Sequence, residues 1–466
     1  MASPPTTKVT DPQSAPAISH VSIPRRLLDL ALPVIGLNVL GVLSLAVDTA
    51  MCGRLPNAPA ALEALGFATQ VVFLFMVLMM GLVMGVTAMV ARAHGAKDPA
   101  RVDHVLRQST WFTVFVALLV AVAGNLTAEP ILRVLGATDD ALPLALDYLR
   151  PSLGFAVFPY LAMLYAAVLR AVGNTRLPFV VALGSNALNV VFNYAFILGN
   201  LGFPALGVAG AAYGTVASQA AGVLALVLLL RRGSVAGLRL RVAPTRPDLA
   251  LARDYFRIGA PAALDMVIIN ASFASIVGML GRLDPAAVAA HGIGLRIQAL
   301  AFVPALSVAQ ATGAMVGNAL GAHDLPAAHQ VVRASVRLNV AITATLALLL
   351  VLGAHPIVAI FDVPEGTALH ELSVEWMRLL GYGMPIVGIH IAYVGALRGA
   401  GDTRSSLWIN LVGTVVQVPT SWLLGFPLGL GPWGVWLGFP ASFVLKAALG
   451  YAAYRTGRWA RVGSRA

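Results

Sequence analysis

Long apolar runs alternate with short polar breaks along this whole chain. Twelve runs of roughly 20 residues, enough to cross a bilayer as a helix, fall at about 27–51, 61–91, 108–126, 142–169, 178–200, 206–230, 255–280, 286–316, 335–361, 373–397, 405–427 and 433–454. Several breaks carry strong turn chemistry, as in Gly95-Ala-Lys-Asp-Pro99 and Gly173-Asn-Thr-Arg-Leu-Pro178. The pattern also repeats. Pro33 recurs as Pro261, Gly95-Ala-Lys-Asp98 as Gly321-Ala-His-Asp324, Leu169-Arg170-Ala-Val-Gly-Asn-Thr-Arg176 as Leu397-Arg398-Gly-Ala-Gly-Asp-Thr-Arg404, and Gly207-Val208 as Gly434-Val435, at offsets of 228, 226, 228 and 227 residues. A duplicated apolar bundle is the signature of a secondary transporter. Six segments per half give both halves one orientation, with a pseudo-two-fold axis along the membrane normal and a cavity between lobes. The expected divisions are a disordered tail at 1–24, a lobe at 25–230, a basic linker at 231–254, a second lobe at 255–455 and a basic tail at 456–466.

Composition agrees. Hydrophobic residues make up 58% of the chain, charged residues 11%, and the mean hydropathy is +0.82, where a soluble protein carries roughly 25% charged residues. The net charge of +11 raises the question of nucleic acid, which its distribution answers. If the N-terminus is cytoplasmic, the tails and even-numbered loops hold 24 of the 31 Lys and Arg residues. This is the positive-inside pattern. It predicts a multi-pass protein of the cytoplasmic (inner) membrane with both termini cytoplasmic, lipid headgroups beside its basic loops, and no nucleic-acid partner. The single Cys52 excludes an intramolecular disulfide, and no Cys/His cluster suggests a structural metal.

Ionisable groups deep in apolar segments are the first place to look for function. Asp48 lies towards the far end of the first segment, fifteen residues after Pro33. The proline removes a backbone hydrogen bond and can bend that helix. Asp48 is a candidate proton carrier; its bland alternative is an interfacial carboxylate. The fifth segment carries Asn186, Asn189 and Asn193, of which the last two share a face, with interhelical glue as their alternative. In the second lobe Asp265 follows Pro261 by about a turn, and Arg296 sits on the next segment, where the two can form a buried pair. His390, inside the tenth segment, can titrate near physiological pH. The pairs Gly81/Gly85, Gly210/Gly214 and Gly317/Gly321 suit close helix packing. Gly429-Leu-Gly431-Pro-Trp-Gly434 matches a dinucleotide fingerprint by spacing alone, since no strand precedes it.

Val47-Asp-Thr-Ala-Met-Cys-Gly53, the asparagine segment ending Phe196-Ile-Leu-Gly199, Ala289-Ala-His291 and Leu397-Arg-Gly-Ala-Gly-Asp-Thr403 together resemble the multidrug and toxic compound extrusion (MATE) antiporters. The resemblance implies two six-helix lobes forming a V, and export of organic, often cationic, compounds driven by inward H⁺ or Na⁺. It implies no cofactor beyond the coupling ion, and the expected functional unit is the monomer. In one branch of that family a first-helix carboxylate is the key group, and Asp48 matches it. Asn189 matches a fifth-helix Asn, but Asn193 stands where an Asp is usual. One acid weakens Na⁺ ligation at Asp48, so H⁺ is favoured. Asp265 matches one variant of a seventh-helix acid.

The rival reading is a flippase for a lipid or lipid-linked saccharide, which needs cations facing the cavity; Arg296 is the main intramembrane candidate. An intramembrane enzyme needs converging catalytic groups, and the sequence offers no His-Glu-x-x-His and no paired intramembrane carboxylates.

Overall fold

A computed structural model describes residues 22–233, 238 and 246–462. The first half folds as α1 (Ile23–Cys52), α2 (Ala58–Gly95), α3 (Pro99–Val134), α4 (Ala141–Gly154), α5 (Val157–Ala171), α6 (Arg176–Phe196) and α7 (Val208–Arg231). The second folds as α8 (Leu249–Leu280), α9 (Pro285–Gly321), α10 (Leu325–Leu352), α11 (Ala354–Ala359), α12 (Ala368–Gly399), α13 (Thr403–Gly425), α14 (Gly431–Arg455) and the short α15 (Arg458–Arg461). Among the described residues, eleven helices are long and apolar enough to cross a membrane, and α4 with α5 forms a twelfth span bent by 51°. This is the two-repeat membrane bundle that the apolar pattern predicts, in the V shape that the family resemblance implies.

Three boundaries differ. The run 142–169 is not one helix, because the chain breaks at Phe155-Ala156 between α4 and α5. The run 335–361 ends as a helix at Leu352, and α11 follows as a separate turn. Within the expected basic tail, α15 instead packs down: Trp459 is buried and donates from Nε1 to the Tyr454 carbonyl at 2.9 Å. The expected tail up to residue 21 and the linker at 234–237 and 239–245 lie outside the described residues.

The internal repeat is visible in the turns. Lys97 and His323 both adopt φ of 57°, and each is followed by an aspartate that caps the next helix. Asp98 Oδ1 accepts from the Arg101 N–H and Asp324 Oδ1 from the Ala327 N–H, both at 2.9 Å, satisfying amides that a helix start leaves unpaired.

The lobes meet through α2 against α8 and α1 against α9. A Cβ on Gly81 would strike Ala263, one on Gly95 the Asn318 backbone, one on Gly317 the Ala91 side chain and one on Gly321 the Arg92 backbone. Two of the three expected small-residue pairs therefore pack across the seam, while Gly210 and Gly214 pack α7 on α6. Arg92 donates to the Ala400 carbonyl at 2.5 Å, Asn318 to the Ala171 carbonyl at 2.8 Å, and Asn38 to Ser307 Oγ at 3.1 Å. All these contacts lie in the half of the bundle where α1 begins and α14 ends, here termed the near half. Seven residues outward of Asn38, Gly81, Ala263 and Ser307, on the same helical stripes, Leu45, Leu74, Asn270 and Leu300 are all exposed, as expected of lobes that part towards the far face to leave a cleft.

Candidate functional site

Asp48 stands one turn before the end of α1, on the face that packs against α6, and is 4% exposed. A carboxylate removed from water must find hydrogen-bond donors. Two neighbouring helices supply them. Asn193 on α6 donates from Nδ2 to Asp48 Oδ1 at 2.5 Å, and Thr215 on α7 lies with Oγ1 3.4 Å from Asp48 Oδ2. One turn back on α6, Asn189 donates to Thr215 Oγ1 at 3.1 Å and accepts from Ser44 Oγ at 3.1 Å. Both asparagines are buried, which the i,i+4 spacing on one helical face makes possible. Gly214 of α7 leaves the space into which Asn193 Oδ1 fits, and that oxygen has no hydrogen-bond partner among the described residues. The structure thus brings Asp48, Asn189 and Asn193 together, and it adds Ser44 and Thr215. Asn186 stands apart, bonded to its own helix at the Ala182 carbonyl.

The expected Asp265–Arg296 pair does not form. Asp265 on α8 is fully buried and binds Arg398 of α12 instead. Arg398 Nη2 lies 2.7 Å from Asp265 Oδ2, Ser406 Oγ 2.5 Å from the same oxygen, and Asn410 Nδ2 2.7 Å from Oδ1. Arg296 is exposed, because consecutive helices α8 and α9 hardly touch, and α9 turns its faces to α12, α10, α2 and α1. His390 is buried with its ring 5.3 Å from Phe443. The buried Lys446 lies 4.7 Å over the same ring. Lys446 was visible as the one lysine inside an apolar run, but nothing in that run names its neighbours.

Chemically, the two carboxylates differ. The Asp265 charge is compensated by a guanidinium in direct contact, so this cluster ties α8 to α12 and α13. Asp48 faces neutral donors only. No cationic side chain contacts it among the described residues.

The MatE family profile matches residues 33–195 and 261–423, beginning at Pro33 and Pro261. A probable multidrug resistance protein NorM of Thermotoga maritima is 28% identical over 450 residues, covering 94% of this chain and 93% of the relative. One of the same name from Brucella suis is 30% identical over 448 residues, covering 93% and 92%. The fold superposes on a crystal structure of MATE in the bent conformation with a TM-score of 0.87 at 22% identity, covering 95% and 97%. The chain belongs to the MATE family of membrane transporters and is not an enzyme.

Proposed function

We propose that this protein is a proton-coupled antiporter that exports organic compounds across the cytoplasmic membrane by alternating access. The observation that carries the reading is the Asp48 pocket, which holds one carboxylate and only neutral partners. A dehydrated alkali cation needs several oxygen ligands in place of its hydration shell. Here an Asn193 amide, a donor, faces the carboxylate where a second acid would stand. A proton needs only the carboxylate. The relatives named as multidrug resistance proteins support a broad range of organic substrates.

The near half is the cytoplasmic one, supported by the concentration of Lys and Arg in its loops. The cleft then faces outward. Protonation turns Asp48 from an acceptor-only group into one that also donates, so the bonds to Asn193 and Thr215 must rearrange. Movement of α1 passes Pro33, whose missing N–H leaves the Asp29 carbonyl without its helical partner. On the way it displaces Asn38, which lies between Asp48 and Pro33 and holds the seam at Ser307. Loss of substrate outward and closure of the cleft follow from that bend. Pro261 is the equivalent weak point of α8.

The test is transport by proteoliposomes under an imposed pH gradient or an imposed Na⁺ gradient, with Asp48→Asn beside the wild type. Transport driven by the pH gradient alone and abolished in Asp48→Asn is expected. Na⁺-driven transport that survives the substitution would move the coupling ion to the lobe of Asp265.

A further inference from the structure

We infer that the cleft between the lobes selects organic anions, through Arg296, and not cations. The inference rests on the export reading and names the substrate class of that same cleft.

Helical geometry places Arg296. Ser307 marks the face of α9 that meets α1, since it accepts from Asn38 at 3.1 Å. Residue 296 lies eleven positions towards the far end, across Pro304, which in a regular helix is about 20° past three full turns and about 16 Å along the axis. Arg296 therefore continues the face of Ser307, beyond the point where the lobes part. Leu300, on the same stripe, is 56% exposed, as expected where the partner helix has moved away. Arg296 is exposed too, and it makes no hydrogen bond or ion pair among the described residues.

A second argument is energetic. A guanidinium facing lipid inside a spanning helix costs about 3 kcal/mol, whereas one facing a water-filled cleft keeps its hydration. The cleft is the only one of these two surroundings that suits an unpaired arginine.

No acid on the seam helices offsets it. The helices α1, α2, α8 and α9 carry five carboxylates: Asp29, Asp48, Glu63, Asp254 and Asp265. Asp48 and Asp265 are buried inside their lobes. Asp29 and Asp254 lie in the near half, and Glu63, at the far end of α2, accepts from the Thr138 N–H at 3.2 Å. The same helical arithmetic brings two amides to the cleft. Gln70 is eleven residues outward of Gly81, and Asn270 seven residues outward of Ala263; both are exposed. Leu45 and Leu74, 49% and 56% exposed, supply apolar surface beside them.

One fixed positive charge, neutral amides and leucines fit an amphiphile with a carboxylate, sulfonate or phosphate head. Arginine pairs with such heads through two parallel N–H bonds. A soluble compound and an anionic lipid both present that chemistry.

The experiment uses the full chain in proteoliposomes under a pH gradient, with carboxyfluorescein, ethidium and NBD-labelled phosphatidylglycerol as probes. Binding of the two soluble dyes to the detergent-solubilised protein is measured in parallel by fluorescence anisotropy. The variants are Arg296→Ala, Arg296→Lys and Arg296→Glu. Carboxyfluorescein is expected to bind and move about tenfold or more weakly in Arg296→Ala, to recover in Arg296→Lys, and to give way to ethidium in Arg296→Glu. Ethidium carried equally by wild type and Arg296→Ala, with carboxyfluorescein ignored, overturns the anion assignment and leaves export standing. Carboxyfluorescein binding that depends on Arg296 without transport supports the anion site and overturns export. Arg296-dependent movement of the labelled lipid alone keeps the anion chemistry but makes the source a lipid and overturns export of soluble compounds. No binding or movement of any probe by protein that elutes as a single species overturns both readings.

Discussion

Ser442 donates a 3.0 Å hydrogen bond to Gln417 at the positions that repeat Thr215 and Asn189, which are themselves joined at 3.1 Å. The two lobes share this bond between their last two long helices. They differ in what stands opposite it, because Ile276 occupies the position that repeats Asp48. Duplication produced two equivalent pockets, and only the first holds a carboxylate.

That difference predicts unequal outcomes for equivalent substitutions. Gln417→Ala removes a buried neutral hydrogen bond and costs about 1 kcal/mol of stability while transport persists. Asn189→Ala removes a comparable bond but sits beside Asp48, so proton-driven transport falls severalfold or more. Thermal unfolding and transport measured on both variants check the contrast.

Asn193→Asp places a second carboxylate against Asp48 and removes the amide donor. Two acids at one site attract a cation, so transport by this variant is expected to gain Na⁺ dependence. An assay under a Na⁺ gradient at constant pH reads it directly; unchanged indifference to Na⁺ would show that the second acid does not create the site.

Arg398→Ala leaves the Asp265 carboxylate buried without its counter-charge. Breaking a buried pair by removing one partner costs about 3–5 kcal/mol, and a large fall in the unfolding temperature is expected. The double variant with Asp265→Asn should regain much of it, since no charge then remains unpaired.

His104 on α3 and Asp248, the cap of α8, meet at 2.9 Å across the lobes near the membrane surface. The backbone N–H of Leu251, and then His104, hold the Asp248 carboxyl below its ordinary value of 3.8. A depressed value means that its contribution to stability is present above pH 3.8 and is lost as the pH falls through the lower, folded-state value. Asp248→Ala should therefore melt earlier than wild type at neutral pH, with the difference closing in acid. A difference that is constant with pH would show that the carboxylate charge plays no part.

Much of this architecture is legible in the sequence because membrane helices declare themselves by length and because the repeat fixes their register. Asp48, Asn189 and Asn193 were accessible for a related reason: an acid in an apolar run is conspicuous, and i,i+4 spacing puts two amides on one face. Contacts between helices are another matter. Thr215 is an ordinary residue for a membrane helix, and only the packing of α7 on α6 makes it a ligand of Asp48. Arg398 falls one residue past an apolar run and reads as a loop cation, yet its long side chain reaches back to Asp265. The expected Asp265–Arg296 pair does not form because α8 and α9, neighbours in sequence, are hardly neighbours in space. The break between α4 and α5 was hidden by an uninterrupted apolar run.

That break has no counterpart in the second lobe, where α12 runs unbroken from Ala368 to Gly399 and is buried for most of its length. One half of the molecule has a 51° joint in its central column, and the other has a continuous helix with a single proline, Pro385, inside it. Shape change during the cycle should therefore concentrate in the half that carries Asp48, with the other half serving as the frame against which it works. Two copies of one ancestral bundle have become engine and chassis.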